Sequence, residues 1–198
     1  MIELEKFIPA SFADIIEDVI TKNPDFTWTY TPSTNNQKDT AVMKKDAKSY
    51  ESEQLVHALY LEGQRKSPFF DVIFPFFYFL EEKTGITLGV IERIKANMLL
   101  RSTAADDMYN TPHIDVPDPG YKSLLYYVKD SDGDTFVFNE TWRDRNKPLT
   151  VRKRVAPRKG KAIVFDSNTW HASSNPRENQ NRIVINFVFA VKPQAAKP

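Results

Sequence analysis

The pattern of apolar positions changes near residue 89. Before it, apolar residues tend to recur three and four positions apart, the spacing of one helical face. After it, short runs rich in Val, Ile, Phe and Tyr alternate with turn clusters, as in strands. The sequence therefore predicts a helical N-terminal part over 1–88, a β-rich core over 89–191 and a short polar tail over 192–198.

The first two predicted helices rest on this periodicity. Ser11 and Asp14 form a helix-start box for the first helix. Its apolar face comprises Phe12, Ile15, Ile16, Val19 and Ile20. A second helix is predicted over 50–62, with Gly63 ending it. The polar stretch 31–49 between them is predicted to be mostly loop.

A third helix is predicted to start at Ser67 and Pro68 and to run to about residue 84. Gly85 is expected to be its C-terminal cap, and Pro75 is expected to kink it. Its many Phe residues are interpreted as core.

Eight short strands are predicted in the remainder of the chain. They lie within 92–102, 111–116, 121–129, 133–141, 149–156, 160–166, 169–174 and 181–192. Short strands separated by turns favour a sandwich or jelly roll. The predicted fold is α+β and mostly β, a double-stranded β-helix of about eight antiparallel strands with the N-terminal helices packed on one sheet. A chain of 198 residues suits a single domain.

Composition excludes several classes of function. The formal net charge is +1, so the chain has no overall electrostatic footprint for nucleic acid. There is no cysteine, so a metal would need N and O ligands. The N-terminus lacks the pattern of a signal peptide, and the longest apolar run, 68–80, is interrupted by Asp71 and Pro75. We therefore expect a cytoplasmic protein without a membrane span.

The candidate chemistry begins with His113 and Asp115, two positions apart in a predicted strand. Residues at that spacing point to the same face, so the two side chains could share an ion. His171, in another short strand, is the best candidate for a third ligand. Two imidazoles and one carboxylate with open positions make the facial triad of non-haem Fe(II) oxygenases.

Arg182 follows His171 by eleven residues, at the start of the most apolar strand. A guanidinium can clamp the far carboxylate of a dicarboxylate whose near end chelates iron. Strand parity places Val184 and Asn186 on the same inward face. We expect these side chains to line one cavity.

Several motifs in a fixed order resemble the 2-oxoglutarate and Fe(II)-dependent oxygenases, and within them the prolyl 4-hydroxylase-like branch. The matching stretches are PHID at 112–115, LLYYV at 124–128, DGDTFVF at 132–138, PRKGKAIVF at 157–165, WHASS at 170–174 and NRIVINFVF at 181–189. The resemblance covers roughly residues 92–191. It implies a hydroxylase that uses Fe(II), 2-oxoglutarate and dioxygen and releases succinate and CO2, with ascorbate as a further candidate cofactor.

Carried onto this sequence, the resemblance makes His113, Asp115 and His171 the iron ligands. It makes Arg182 the partner of the distal carboxylate of 2-oxoglutarate and places the Tyr127 phenol against that carboxylate, with Tyr126 facing away. One departure concerns the stretch MLLRS at 98–102, where prolyl hydroxylases often carry a tyrosine.

The substrate stays open at this stage. The candidates are a peptidyl residue of the prolyl type, an amino-acid-like molecule or another metabolite, with a nucleobase disfavoured. The polar loops 31–49 and 141–148 are candidate substrate contacts. Two alternatives remain: a cupin-like metal enzyme that does not use 2-oxoglutarate, and a jelly-roll binding protein whose histidines merely pack. Oligomeric state is not predicted.

Structural roles are expected for other conspicuous residues. His57 is interpreted as a packing or surface histidine within a helix, and Trp170 as a core residue. The basic run 152–159 is interpreted as a solvated strand edge. Asp106 and Asp107 are expected on a mobile loop that could cover the metal.

Overall fold

The computed structural model describes residues 1–34, 45–104 and 106–192, together with the backbone of 42–43. The three α-helices are α1 (Ala10–Lys22), α2 (Phe70–Ile73) and α3 (Phe76–Thr84). The strands of the first half are β1 (Ile2–Leu4), β2 (Thr29–Thr31), β3 (Val42–Met43), β4 (Ser49–Tyr50), β5 (Gln54–Leu61), β6 (Gln64–Arg65) and β7 (Leu88–Leu100). Those of the second half are β8 (Tyr109–Asn110), β9 (His113–Ile114), β10 (Tyr121–Tyr127), β11 (Thr135–Thr141), β12 (Val151–Val155), β13 (Ala162–Asp166), β14 (Thr169–Ser173) and β15 (Asn181–Val191).

Most strands belong to two antiparallel sheets. The larger sheet has the order β1-β13-β10-β15-β7-β5-β2, and β6 extends it by pairing with β5. The smaller has the order β12-β11-β14-β9-β3. A short parallel pair joins β4 to β8. The predicted mostly β fold of antiparallel strands is confirmed.

The core has three parts: one on the outer face of the larger sheet, one between the two sheets, and one on the smaller sheet. Helices α1 and α3 cover the outer face of the larger sheet, where Phe76 and Phe77 pack against Phe187. A smaller cluster joins the two sheets, with Leu125 and Val184 from one and Val137 from the other. A third cluster, which includes Trp170, lies on the smaller sheet. The predicted packing of N-terminal helices on one sheet is confirmed.

Strand β15 shows the predicted two-residue alternation. Ile183, Ile185 and Phe187 join the core beneath the helices. Arg182, Val184 and Asn186 point the other way and line a cavity between the sheets. The parity expected for this strand is confirmed.

The predicted helix ends are correct in part. Gly85 adopts the left-handed conformation (φ 71°) as the C-terminal cap of α3. The third predicted helix is broken into α2 and α3 at Pro75, which is a stronger effect than a kink. The predicted start at Ser11 is wrong, because α1 begins at Ala10 after Pro9 and makes no side-chain cap hydrogen bond. Ile15, assigned to the buried face, is 53% exposed.

The predicted helix over 50–62 is wrong, because this stretch forms β5. Its backbone pairs with β7 on one side and β2 on the other. Glu62 and Gly63 both have positive φ, 54° and 73°, so they form the two-residue turn of a hairpin to β6. Gly63 therefore reverses a strand and does not end a helix, and the N-terminal part is mixed in structure.

The stretch predicted as a loop, 31–49, contains the last residue of β2, the whole of the short strand β3 and the first residue of β4. Residues 35–41 and 44 of that prediction lie outside the described residues, as does most of the predicted tail, 193–198. No helix in the described part of the chain is long and apolar enough to cross a membrane.

Candidate metal centre

Two neighbouring strands of the smaller sheet bring the two predicted histidine ligands together. His113 in β9 and His171 in β14 are directly paired across the ladder, and their ring centroids are 4.3 Å apart. Side chains directly opposite in antiparallel strands point to the same face, which explains the contact.

Asp115 follows β9 and completes the cluster. Its backbone N–H donates to the Ser167 carbonyl (2.9 Å), which fixes the chain just beyond the strand. One ligand atom from each of His113, Asp115 and His171 lies within 4.8 Å of the others. Asp115 Oδ2 is 3.6 Å from His171 Nε2. The structure thus brings together the three residues predicted as ligands.

The state of these groups suits a divalent metal ion. Burial, followed by the neighbouring His171, lowers the pKa of His113 well below its usual value and keeps the imidazole neutral, the form that ligates metals. His171 Nδ1 lies 3.0 Å from the Thr169 carbonyl, so Nε2 is left for an ion. His113 Nδ1 is buried and has no hydrogen-bond partner among the described residues. The donor set of two nitrogens and one carboxylate fits Fe(II).

The Asp115 carboxylate is held by hydrogen bonds on both oxygens. Ser123 donates to Oδ2 (2.5 Å), and the Arg93 guanidinium donates to Oδ1. Burial raises the pKa of Asp115, but Arg93 and the two imidazoles outweigh it, so the pKa lies well below its usual value. Asp115 is therefore a carboxylate at neutral pH.

Arg182 lies in the same cavity, on the larger sheet. It is 3% exposed; its Nε donates to the Gly133 carbonyl (2.7 Å) and its Nη2 to Thr135 Oγ1 (2.6 Å). These bonds use two of the five N–H groups of a guanidinium. A Cβ added at Gly133 would lie 3.0 Å from Arg182 Cδ and 2.6 Å from the Ser174 carbonyl, so only glycine lets the arginine pack here.

The two neighbouring tyrosines face opposite ways, as the resemblance implied. The Tyr127 hydroxyl donates to Thr135 Oγ1 (2.9 Å), the oxygen that also accepts from Arg182. Burial raises the pKa of Tyr127 to about 12, so the phenol stays protonated. Tyr126 packs on the helix side of the sheet against Phe76. The role of Tyr127 toward a co-substrate stays a prediction.

The cavity between the sheets has a volume of about 60 Å³ and is lined by His113, His171, Arg182, Val184 and Asn186. Sequence reasoning missed its β7 side, where Arg93, Lys95, Asn97 and Leu99 also line it. The signal was present, because polar residues at alternate positions of a central strand indicate a polar inner face. Asn186 Nδ2 is 3.5 Å from Asp115 Oδ1.

An open groove of about 780 Å³ adjoins this cavity at Gln54, which lines both. Tyr30, Glu53, Arg101 and Arg177 are among its lining residues. The stretch MLLRS ends here, with Leu99 in the cavity and Leu100 in the groove.

The residues expected to be structural are placed as follows. His57 is a buried packing residue, but in strand β5 and not in a helix. Trp170 is fully buried and donates to the Thr141 carbonyl. Strand β12, which overlaps the first part of the basic run 152–159, is an exposed edge of the smaller sheet. Asp106 pairs with Arg154 (2.9 Å) and Arg177 (2.9 Å), and Asp107 with Lys48 (3.0 Å). A lid function of this segment stays a prediction.

Comparison with known proteins agrees with this site. Residues 98–190 match the family model of the 2OG-Fe(II) oxygenase superfamily. The match contains all three ligand candidates and Arg182. A search of curated protein sequences gave no match.

Solved structures show the same fold. An oxidoreductase of the 2OG-Fe(II) oxygenase family from Burkholderia pseudomallei is 18% identical, with a TM-score of 0.63 over 96% of this chain and 84% of its own. A prolyl hydroxylase from Trichoplax adhaerens, in complex with a hypoxia inducible factor peptide fragment, is 11% identical (TM-score 0.56; 96% and 83% covered). The epimerase SnoN from nogalamycin biosynthesis, in complex with Fe3+, alpha ketoglutarate and nogalamycin RO, is 10% identical (TM-score 0.56; 96% and 78% covered).

Proposed function

We propose that the chain is a 2-oxoglutarate- and Fe(II)-dependent dioxygenase that hydroxylates its substrate, because residues 98–190 match the family model of the 2OG-Fe(II) oxygenase superfamily. The observation that carries the proposal is the placement of Arg182 in the same cavity as the buried cluster of His113, Asp115 and His171. A metal site alone would suit many enzymes. A metal site with a buried arginine suits a chelating dicarboxylate.

Each residue then has a defined task. His113, Asp115 and His171 hold the iron, while Arg182 and Tyr127 bind the distal carboxylate of 2-oxoglutarate. Together, iron and 2-oxoglutarate supply the chemistry: one oxygen atom of O2 enters a substrate C–H bond, and the other enters succinate as CO2 leaves. Leu125 and Val184 provide apolar walls that exclude water from the centre.

The proposed substrate is a peptidyl residue of the prolyl type or an amino-acid-like molecule. The inner cavity is small, at about 60 Å³, whereas the adjoining groove, at about 780 Å³, lies within the usual range of ligand pockets. This supports a substrate that reaches the metal from the groove past Gln54. Solved relatives in this fold include a complex with a peptide and a complex with a small molecule, which leaves both kinds of substrate in the proposal.

Binding of metal and of 2-oxoglutarate separates the proposed function from the two alternatives. A cupin-like enzyme without 2-oxoglutarate would bind metal but would not need Arg182 for a dicarboxylate. A binding protein whose histidines only pack would bind neither metal nor 2-oxoglutarate. Neither accounts for the hydrogen bonds that join Arg182 and Tyr127 to Thr135, of which Arg182 and Thr135 line the cavity beside the histidines.

Anaerobic titration of the purified protein with Fe(II) and then 2-oxoglutarate tests the proposal. We expect a weak visible charge-transfer band that appears only when both are present, because the co-substrate chelates the bound iron. His113→Ala, Asp115→Ala and His171→Ala should each lose iron, measured by metal analysis after gel filtration. His57→Ala is the matched control, since this third histidine of the chain lies outside the cluster. Full iron retention in all three site variants would refute the metal centre.

A further inference from the structure

A buried arginine bonds directly to the candidate metal-ligand carboxylate. Arg93, in the central strand β7, is 6% exposed, and Asp115 is 4% exposed. The Arg93 Nη2 group donates to Asp115 Oδ1. A guanidinium this close places a permanent positive charge beside the position that a divalent ion would take.

The two oxygens of Asp115 have different neighbours. Oδ2 faces the imidazoles, 3.6 Å from His171 Nε2, whereas Oδ1 faces Arg93. A metal bound through Oδ2 therefore leaves the arginine in place on Oδ1. The ion and the guanidinium would share one carboxylate.

We infer that Arg93 is the counter-ion of Asp115, stabilising the metal-free centre and weakening its hold on the metal. The inference rests on the proposed function, because it requires the metal at this cluster. Two electrostatic effects support the inference, and each of them lowers the metal affinity of the centre. A buried carboxylate that loses its cationic partner becomes strongly destabilising, so the metal-free protein benefits from Arg93. The cation also repels a dication across a short distance in a partly dry site.

The direction of the expected change in metal affinity distinguishes Arg93 from the usual hydrogen-bond partner of a metal-ligating group. Hydrogen-bond partners of ligating groups usually strengthen metal binding, and their loss costs affinity. Ser123, which donates a neutral hydrogen bond to Oδ2, fits that pattern. Arg93 adds a full charge, so its replacement by a neutral residue should tighten metal binding. Arg93 is thus a positioning residue that sets how readily the centre gains and loses its ion.

The test compares Arg93→Gln, which removes the charge, with Arg93→Lys, which keeps it. Mn(II) binding is measured by calorimetry without oxygen or 2-oxoglutarate, and the melting temperature of each protein is measured without metal. Arg93→Gln should bind Mn(II) about tenfold more tightly, or more, than the parent protein, from the repulsion removed. It should also melt at a lower temperature without metal, whereas Arg93→Lys should stay close to the parent in both measurements.

Lys22→Gln is the control for loss of a distant cation. Lys22 forms an exposed ion pair with Asp18 on α1, so its replacement should leave Mn(II) affinity unchanged. Unchanged or weaker Mn(II) binding by Arg93→Gln would overturn the inference. If the parent protein itself fails to bind Mn(II) or Fe(II), the proposed function fails instead, so the two failures are distinguishable.

If Arg93→Gln does not fold without metal, two further measurements decide. Refolding in Mn(II) should recover it, because the ion replaces the lost cation. The double variant Arg93→Gln, Asp115→Asn should recover stability without metal, because it removes both charges and so leaves no unpaired charge buried. Failure of both rescues would contradict the assignment of Arg93 as the counter-ion.

Discussion

Arg182 is the residue that distinguishes a site for 2-oxoglutarate from a site that binds only a metal ion. Its guanidinium is buried between the Gly133 carbonyl and the Thr135 hydroxyl, so its orientation is fixed before any ligand arrives. Burial lowers the pKa of Arg182 from its usual value, but arginine stays charged at neutral pH. Among the described residues, no carboxylate accepts a hydrogen bond from this buried, pre-oriented cation, which makes it a strong site for an anionic ligand.

Replacing Arg182 should affect 2-oxoglutarate and spare the metal. Arg182→Lys keeps the charge but loses the paired N–H geometry, so 2-oxoglutarate affinity should fall by about 1.5–3 kcal/mol, roughly ten- to a hundredfold. Arg182→Ala should weaken it further, and Tyr127→Phe less, because it removes one neutral donor. Calorimetry with Mn(II) under nitrogen measures this. Arg177→Lys, an exposed arginine paired with Asp106, is the control. Unchanged affinity in Arg182→Ala would exclude the co-substrate assignment.

At the scale of elements, β5 and β15 show what the sequence can and cannot predict. The apolar alternation of β15 is long, so its faces and Arg182 could be placed from the sequence. Strand β5 reads QLVHALYL, in which Leu55, Val56 and Leu59 also fit a helical face. Its strand state comes from pairing with β2 and β7, which are distant in sequence. Local pattern cannot reveal such partners.

The candidate site, too, could be predicted from the sequence only in part. The three ligand candidates and Arg182 could be singled out from the sequence because their chemistry is rare and their order is fixed. Arg93 was missed: the alternation of Arg93, Lys95 and Asn97 indicates a polar face of β7, but only the fold shows that this face lies inward and that Arg93 meets Asp115. The Tyr126 and Tyr127 orientations needed the resemblance, since parity alone does not say which face is inward.

His57 links β5 to the loop before β2 and to the loop before α2. Its Nδ1 lies 2.6 Å from the Thr27 carbonyl, its Nε2 lies 2.8 Å from Ser67 Oγ, and its ring stacks on Phe26. His57→Leu should lower the free energy of unfolding by about 1–3 kcal/mol, because two partly or fully buried polar groups lose their partner. Ser67→Ala should cost less, since it removes only one bond. Urea denaturation measures both, and equal stability of His57→Leu and the parent would contradict this role.

At the scale of the whole molecule, the N-terminal half completes the sheet that carries Arg182. Four strands of the larger sheet, β1, β2, β5 and β6, come from the first 65 residues. The three α-helices found in the described part of the chain lie before residue 85 and cover the outer face of that sheet. The family match, by contrast, covers only 98–190. The matched region therefore depends on the rest of the chain for half of its larger sheet and for the cover of its core.

A fragment of residues 86–192 should therefore not fold by itself, as expected for a single domain. Without the helices, Phe187 and Phe189 of β15 would lose Phe76 and Phe77 and face water. Without β5, the backbone of β7 would become an exposed edge beside the metal cavity. The fragment should show no cooperative thermal transition by circular dichroism and no Mn(II) binding by calorimetry, whereas the full chain should show both. A fragment that melts cooperatively and binds Mn(II) would mean that region 86–192 is an independent domain and that the N-terminal half is an addition to it.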